Sequence, residues 1–147
     1  MMLYFDEVPV GYRSEVGSYK LTQEEIVSFA KVWDPQTFHI DEEAAKNSMF
    51  GGIVASSLHL FAIATRLFFD HKDEIQILAM LGKDQIRLHA PARPGDTVTY
   101  VTECIESKPS ASKPDRGVIV LSDLLSNQNG DQLMTQQVTL LVQRKQF

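Results

Sequence analysis

Residues 34–41 read DPQTFHID, so Asp34 and His39 stand five positions apart with Pro35 directly after the aspartate. A carboxylate and an imidazole are the usual pair for moving protons near neutral pH. Histidine titrates at about pH 6.5 when unperturbed, and burial can raise an aspartate toward that range. Proline stiffens the bend between them. An ordinary polar loop after a helix has the same composition, and the spacing alone does not separate the two readings. A second stretch, FGGIVASS at 50–57, sets Gly51 and Gly52 ahead of a long apolar segment. Glycine lets another backbone or a ligand come close. The first N–H groups of a helix lack intrahelical partners and carry partial positive charge. Such a junction can receive the developing charge of a polarised carbonyl oxygen. A tight turn into a helix explains the same glycines, and on these residues alone it is the better account.

These groups need elements to hold them. In LTQEEIVSFAKVWD, Thr22 followed by Glu25 is a capping-box signature. Ile26, Phe29, Ala30 and Trp33 recur at helical spacing, which predicts a helix over 22–33. Pro35 disfavours helical backbone at Asp34 and ends it there. Asp41 is placed to cap a short helix in EEAAKN. The segment 53–70, IVASSLHLFAIATRLFFD, has no Pro or Gly and is too long for a strand; it predicts a largely buried helix. After Asp73 the pattern turns strand-like. PARPGD is a turn, with Pro94-Gly95 suited to the centre of type II. Val98 and Tyr100 begin an apolar/polar alternation. SKPSASKPD is a polar loop, and 116–145 predicts two strands joined at NQNGD. Helices first, then three or four long antiparallel strands, is an α+β pattern: a sheet packed on a long buried helix.

The 147 residues allow one domain with a sizeable core. A net charge of −5 and a pI near 5.3 argue against non-specific binding to nucleic acid or anionic membrane. Cys104 is the single cysteine, so no intrachain disulfide forms. The first residues, MMLYFDEVPVGY, lack the basic and apolar regions of a signal peptide. The apolar run at 53–69 is interrupted by Ser56, Ser57, His59, Thr65 and Arg66, unlike a membrane span. The expectation is a cytoplasmic protein.

The stretch FAKVWDPQTFHIDEEAAKNSMFGGIVASSLHL resembles the signature of the MaoC-like dehydratases, which include the (R)-specific enoyl-CoA hydratases. That signature runs roughly D-x-N-P-x-H-x-D, then a short alanine-rich helix, then F-x-x-x-I-x-H-G-M. The resemblance continues through LHAPARPGDTV and SKPDRGVIVLSDLLSNQNGDQLM. It implies a single hot-dog domain over 1–147, a long antiparallel sheet wrapped around one helix, usually paired as a homodimer. Asp34 and His39 match the catalytic pair, which holds and activates water for addition to C3 of a trans-2-enoyl thioester, with a proton going to C2, or the reverse. The resemblance implies a coenzyme A or acyl-carrier-protein thioester as substrate, and no metal or redox cofactor. Gln36 falls where many members have an orienting Asn. Ser57 falls where the family has the Gly whose backbone N–H helps form the oxyanion hole. Gln36, Gly52, Ser56 and Ser57 are accordingly the expected substrate-binding residues. The chain departs from the pattern where Ser56-Ser57 replaces His-Gly, where Gln36 replaces Asn, and where the proline is displaced to follow Asp34.

A thioesterase on the same scaffold would also use a carboxylate and a helix N-terminus; the Asp34/His39 pair ahead of the central helix favours the hydratase. A thioester-binding hot-dog protein without activity is the third reading, favoured by Ser56-Ser57 and Gln36. His59 reads as a satisfied core or dimer-interface histidine, and His71 and His89 stand in no motif. His39 and Asp41 lack a clear third metal ligand. No G-x-S-x-G surrounds Ser56 or Ser57. Neither a P-loop around Gly82 nor a G-x-G-x-x-G is present, so there is no nucleotide-cofactor fingerprint. Cys104 reads as a buried small apolar residue. Lys108, Lys113 and Arg116 suit either a solvated loop or the phosphates of coenzyme A.

Overall fold

The computed structural model describes residues 1–145. Its main sheet has five antiparallel strands in the order β2-β5-β6-β7-β4. These are β2 (Arg13–Lys20), β4 (Ile77–Leu88), β5 (Thr97–Pro109), β6 (Arg116–Ser126) and β7 (Gln132–Gln143). Two short strands, β1 (Met2–Leu3) and β3 (Glu74–Ile75), pair in parallel beside it. Between β2 and β3 lie α1 (Gln23–Trp33), α2 (Thr37–Ile40), α3 (Glu42–Lys46) and α4 (Ser57–Asp70).

The α+β class is as the sequence predicts, but the chain order differs in one respect. β2 precedes the helices. It contains Gly17, only Val16 within it is fully buried, and its alternation is too weak to mark it as a strand. The hairpin at 127–131 forms as predicted, and Gly95 takes φ +88 at the third position of the Arg93–Asp96 turn, which type II requires.

The sheet curls around α4. Leu60, Ile63, Ala64 and Leu67 are buried at helical spacing and pack with Val98, Tyr100, Leu125 and Met134 of the concave face. A second apolar cluster, including Ile119, Val138, Leu140 and Val142, fills the other end of that face beneath Leu3, Phe5 and Ile75. Among the described residues no helix is long and apolar enough to cross a membrane.

Thr22 caps α1 by accepting from Glu25 N–H at 3.2 Å. The reciprocal half of the predicted capping box is absent, because the Glu25 carboxylate accepts from Tyr19 O–H at 2.6 Å instead. Asp41 caps α3 as predicted, accepting from Glu43 and Ala44 N–H. Cys104 is buried, again as predicted.

His59 is buried but not satisfied. Its ring stacks on Phe29, centroids 4.4 Å apart and planes 8° apart, and its Nδ1 has no hydrogen-bond partner among the described residues. Burial pushes its pKa below the ordinary histidine value, and nearby Glu25 offsets this only in part. The unfolded chain therefore takes up a proton at this position before the folded chain does. The stability is whole above about pH 6.5 and is lost as pH falls through the lower folded value. Urea midpoints measured from pH 7.5 downward are expected to fall less steeply for His59→Phe than for the natural chain; parallel profiles would remove His59 as a source of acid lability.

Candidate active site

Three short segments meet at the site, and each is shaped by its own residues. α1 ends at Asp34, whose backbone N–H closes the last turn onto Ala30 C=O at 2.8 Å. Pro35 prevents continuation. Gln36 N–H bonds back to Asp34 C=O at 2.8 Å, closing a three-residue turn over the proline. One further helical turn, α2, then carries His39 inward until it is only 4% exposed. This short helix is not foreseen in the sequence.

The second segment is extended, 53–56, and α4 begins only after it. The sequence-based helix over 53–70 is therefore four residues too long at its start. Extended backbone here has a use. Val54 N–H bonds to Phe38 C=O at 3.3 Å, and Ala55 N–H bonds to Ala92 C=O at 2.8 Å. The segment is thus tied on one side to α2 and on the other to the turn before β5.

His39 Nδ1 lies 2.6 Å from Val54 C=O. A carbonyl only accepts, so Nδ1 carries a hydrogen, and when the ring is neutral Nε2 is its bare nitrogen. Nε2 is 3.3 Å from Asp34 Oδ2. Phe38 packs edge-on to the imidazole with centroids 4.4 Å apart.

Asp34 is tied from two further directions. Ser56 O–H donates to Oδ2 at 2.7 Å and Gln36 Nε2–H donates to Oδ1 at 2.8 Å. The Ser56 hydroxyl holds Asp34 well on the ionised side, with help from Gln36 and His39, and this outweighs the opposing effect of burial. The suggestion that burial raises this aspartate is therefore corrected: its carboxylate is lowered, and it serves as an anion at neutral pH.

The same Ser56 oxygen accepts from Leu58 N–H at 3.1 Å and so caps α4. Ser57 is the first residue of α4, and its N–H has no hydrogen-bond partner among the described residues. His39 and Ser57 line one cleft of about 160 Å³, whose apolar walls include Phe38, Phe50, Leu60 and Leu88. Asp34 is not on that lining; it reaches the cleft through His39.

The structure thus brings together Asp34, Gln36, His39, Ser56 and Ser57. It separates Gly52 from them. Gly51 turns the chain at φ +69, and Gly52 lies on another hollow with Lys46, Glu42 and Glu43. The two glycines do not abut α4 and do not line the cleft; they shape the loop carrying Phe50, whose C=O accepts from Arg93 Nη2–H at 2.7 Å. Asp41, weighed as a companion ligand to His39, is engaged at the N-terminus of α3. Arg116 pairs with Asp115.

Sequence reasoning missed the Val54 carbonyl and His89. A backbone carbonyl leaves no mark in residue type. His89 follows β4, bonds through Nε2 to Thr135 Oγ1 at 2.9 Å, and lines the cleft that His39 lines; only the fold brings the two histidines to one wall.

A family model described as the MaoC like domain matches residues 9–122. The chain belongs to the MaoC-like family. It is 31% identical to the MaoC-like dehydratase of Rhodospirillum rubrum, with a TM-score of 0.91 over 99% of both chains. It is 26% identical to the uncharacterized protein YdeM of Bacillus subtilis over 95% of this chain and 98% of that one. The fold of the (R)-hydratase PhaJ1 of Pseudomonas aeruginosa matches with a TM-score of 0.75 at 20% identity, covering 97% of this chain and 86% of that one. The architecture is the hot-dog fold, and the family to which this MaoC-like chain belongs is of the hydratase/dehydratase kind.

Ser56→Ala removes both the largest influence lowering Asp34 and the cap of α4. The Asp34 pKa followed by carbon-13 NMR is expected to move up toward the ordinary carboxylate value, with about 1 kcal/mol lost from stability. An unmoved Asp34 titration would show that the hydroxyl does not govern it.

Proposed function

We propose that this chain is a hydro-lyase that adds water reversibly across the double bond of a 2-enoyl thioester, with Asp34 and His39 as the reacting pair. One observation carries the reading. With Nδ1 committed to Val54, Nε2 and Asp34 Oδ2 are two acceptors 3.3 Å apart, beside a helix N-terminus with an unbonded N–H. Two acceptors in that position call for a hydrogen donor between them, and water is the smallest one.

The chemistry follows from the geometry. Asp34, ionised, orients the water without taking its proton readily. Nε2, bare in the neutral ring, accepts that proton as the water oxygen bonds to C3. The imidazolium so formed faces the Asp34 anion, which stabilises it. Electrons of the double bond move toward the thioester oxygen, and the Ser57 N–H at the positive end of α4 meets the charge there. Nε2–H then returns its proton to C2, leaving a 3-hydroxyacyl thioester and a neutral His39. Dehydration is the same path reversed. Ser57 in place of glycine keeps this donor, because a helical φ suits any side chain.

The same reading pairs two copies through β4. This strand is an edge of the sheet and exposes Leu78, Met80 and Leu81. An uncovered apolar edge is a liability that a second edge strand removes. Leu81→Glu combined with Leu78→Glu is expected to convert a dimer into a monomer in light scattering; a natural chain already monomeric would contradict this pairing.

The activity is tested with crotonyl-CoA, following loss of the conjugated thioester absorbance and release of free thiol together. The natural chain is expected to hydrate it. Asp34→Asn and His39→Ala, checked for folding, are expected to lose about 10²-fold or more in kcat/KM, the usual worth of a positioned acid/base group. Thiol release without hydration would replace this reading with a thioesterase, and neither reaction across several acyl chains would leave thioester binding alone.

A further inference from the structure

A second hollow lies one turn farther along α4. The cleft holding His39 is bounded by Ser57 and Leu60, and a separate cavity of about 310 Å³, with no lining residue in common, lies at Ala64, Thr65 and Phe68, between α4 and the concave face of the sheet. From Ser57 to Ala64 is roughly 10 Å along the helix axis. β4 borders both, with Leu88 at the first and Lys83 at the second. α4 and β4 thus run past both hollows, the first at His39 and the second at Lys83.

The floor of this cavity is not what a core requires. Asp123 and Gln136 line it; with Thr102 they are register neighbours across β5, β6 and β7, all at most 3% exposed, and they separate the two apolar clusters. Thr102 O–H donates to Asp123 Oδ1 at 2.7 Å and Gln136 Nε2–H donates to Oδ2 at 2.9 Å. Burying such groups is costly, and apolar side chains would fill the same row without that cost. Gln136 Oε1 in turn accepts from Lys83 Nζ at 3.3 Å. The Lys83 ammonium forms no ion pair among the described residues and lies 5.6 Å from the Phe61 ring centroid. It is a half-buried cation with donors to spare, on the wall of an otherwise largely apolar cavity.

We infer that this cavity receives the distal part of the acyl group, and that this part ends in a carboxylate met by Lys83 Nζ. The inference rests on the hydratase reading in placing the thioester at Asp34 and His39. Two further observations agree with it. Burial disfavours the Lys83 ammonium and Asp123 offsets this only in part, so an anion beside Nζ would favour its charged form further. Burial raises the Asp123 carboxyl, opposed by its hydrogen bonds from Thr102, Gln136 and Tyr100 and by Lys83, and those hydrogen bonds already occupy the carboxyl that Lys83 faces.

Calorimetry with octanoyl-CoA and with the CoA monothioester of octanedioic acid tests this, since both are unreactive toward hydration. The natural chain is expected to bind the carboxylated thioester at least about tenfold more tightly. Lys83→Met is expected to abolish that preference and Lys83→Arg to retain it, with folding of each checked by circular dichroism. Equal or weaker binding of the carboxylated thioester by the natural chain, or a preference that survives in Lys83→Met, overturns the inference. Crotonyl-CoA hydration with equal affinities would overturn this inference alone. A clear affinity preference without hydration of any enoyl thioester would overturn the hydratase reading and leave the binding specificity standing.

Discussion

One hydroxyl joins the two halves of the site. Ser56 Oγ donates to Asp34 and accepts from Leu58 N–H, so the hydroxyl that lowers the carboxylate's pKa also fixes the start of α4. A helix that began a residue earlier would move the cap, the carboxylate's partner and the unbonded Ser57 N–H together. The extended segment 53–56 sets that start. It is in turn held by Phe38 and Ala92 backbone groups and by the His39 imidazole. Asp34, His39 and the N-terminus of α4 are therefore positioned by one set of hydrogen bonds rather than by two independent ones.

The protonation states follow from this arrangement without special devices. The Asp34 carboxyl is held below the usual carboxylate range first by the Ser56 hydroxyl, then by Gln36, and after them by His39. The Val54 carbonyl takes the Nδ1 hydrogen of His39, so in the neutral ring Nε2 is the accepting nitrogen. The departures from the family signature fit the same picture. Gln36, longer than the usual Asn, still reaches Asp34 Oδ1 at 2.8 Å. Ser56, where the family has His, supplies both a donor and a helix cap.

Much of the frame was legible in the sequence because local chemistry decided it. Thr22 and Asp41 cap the helices they were expected to cap, Pro35 ends α1, and Gly95 sits in a turn that needs positive φ. The errors fall where tertiary contacts overrule local preference. The apolar run at 53–56 reads as helix, yet backbone hydrogen bonds to Phe38 and Ala92 draw it out straight. β2 was missed because one buried residue and Gly17 give too little alternation. Gly52 was expected at the substrate because the glycines and the helix start were taken as adjacent; four residues separate Gly52 from Ser57. Asp34 and His39 were visible as a motif, but their partners were not. Ser56 lies twenty-two positions from Asp34 and Val54 fifteen from His39, distances over which no sequence periodicity operates.

The most direct test is a crystal structure of Asp34→Asn with a bound 3-hydroxyacyl-CoA. The C3 hydroxyl oxygen is expected within hydrogen-bonding distance of both residue 34 and His39 Nε2, and the thioester oxygen on the Ser57 N–H. A thioester bound with C3 remote from His39, or with its carbonyl turned away from the start of α4, would contradict this.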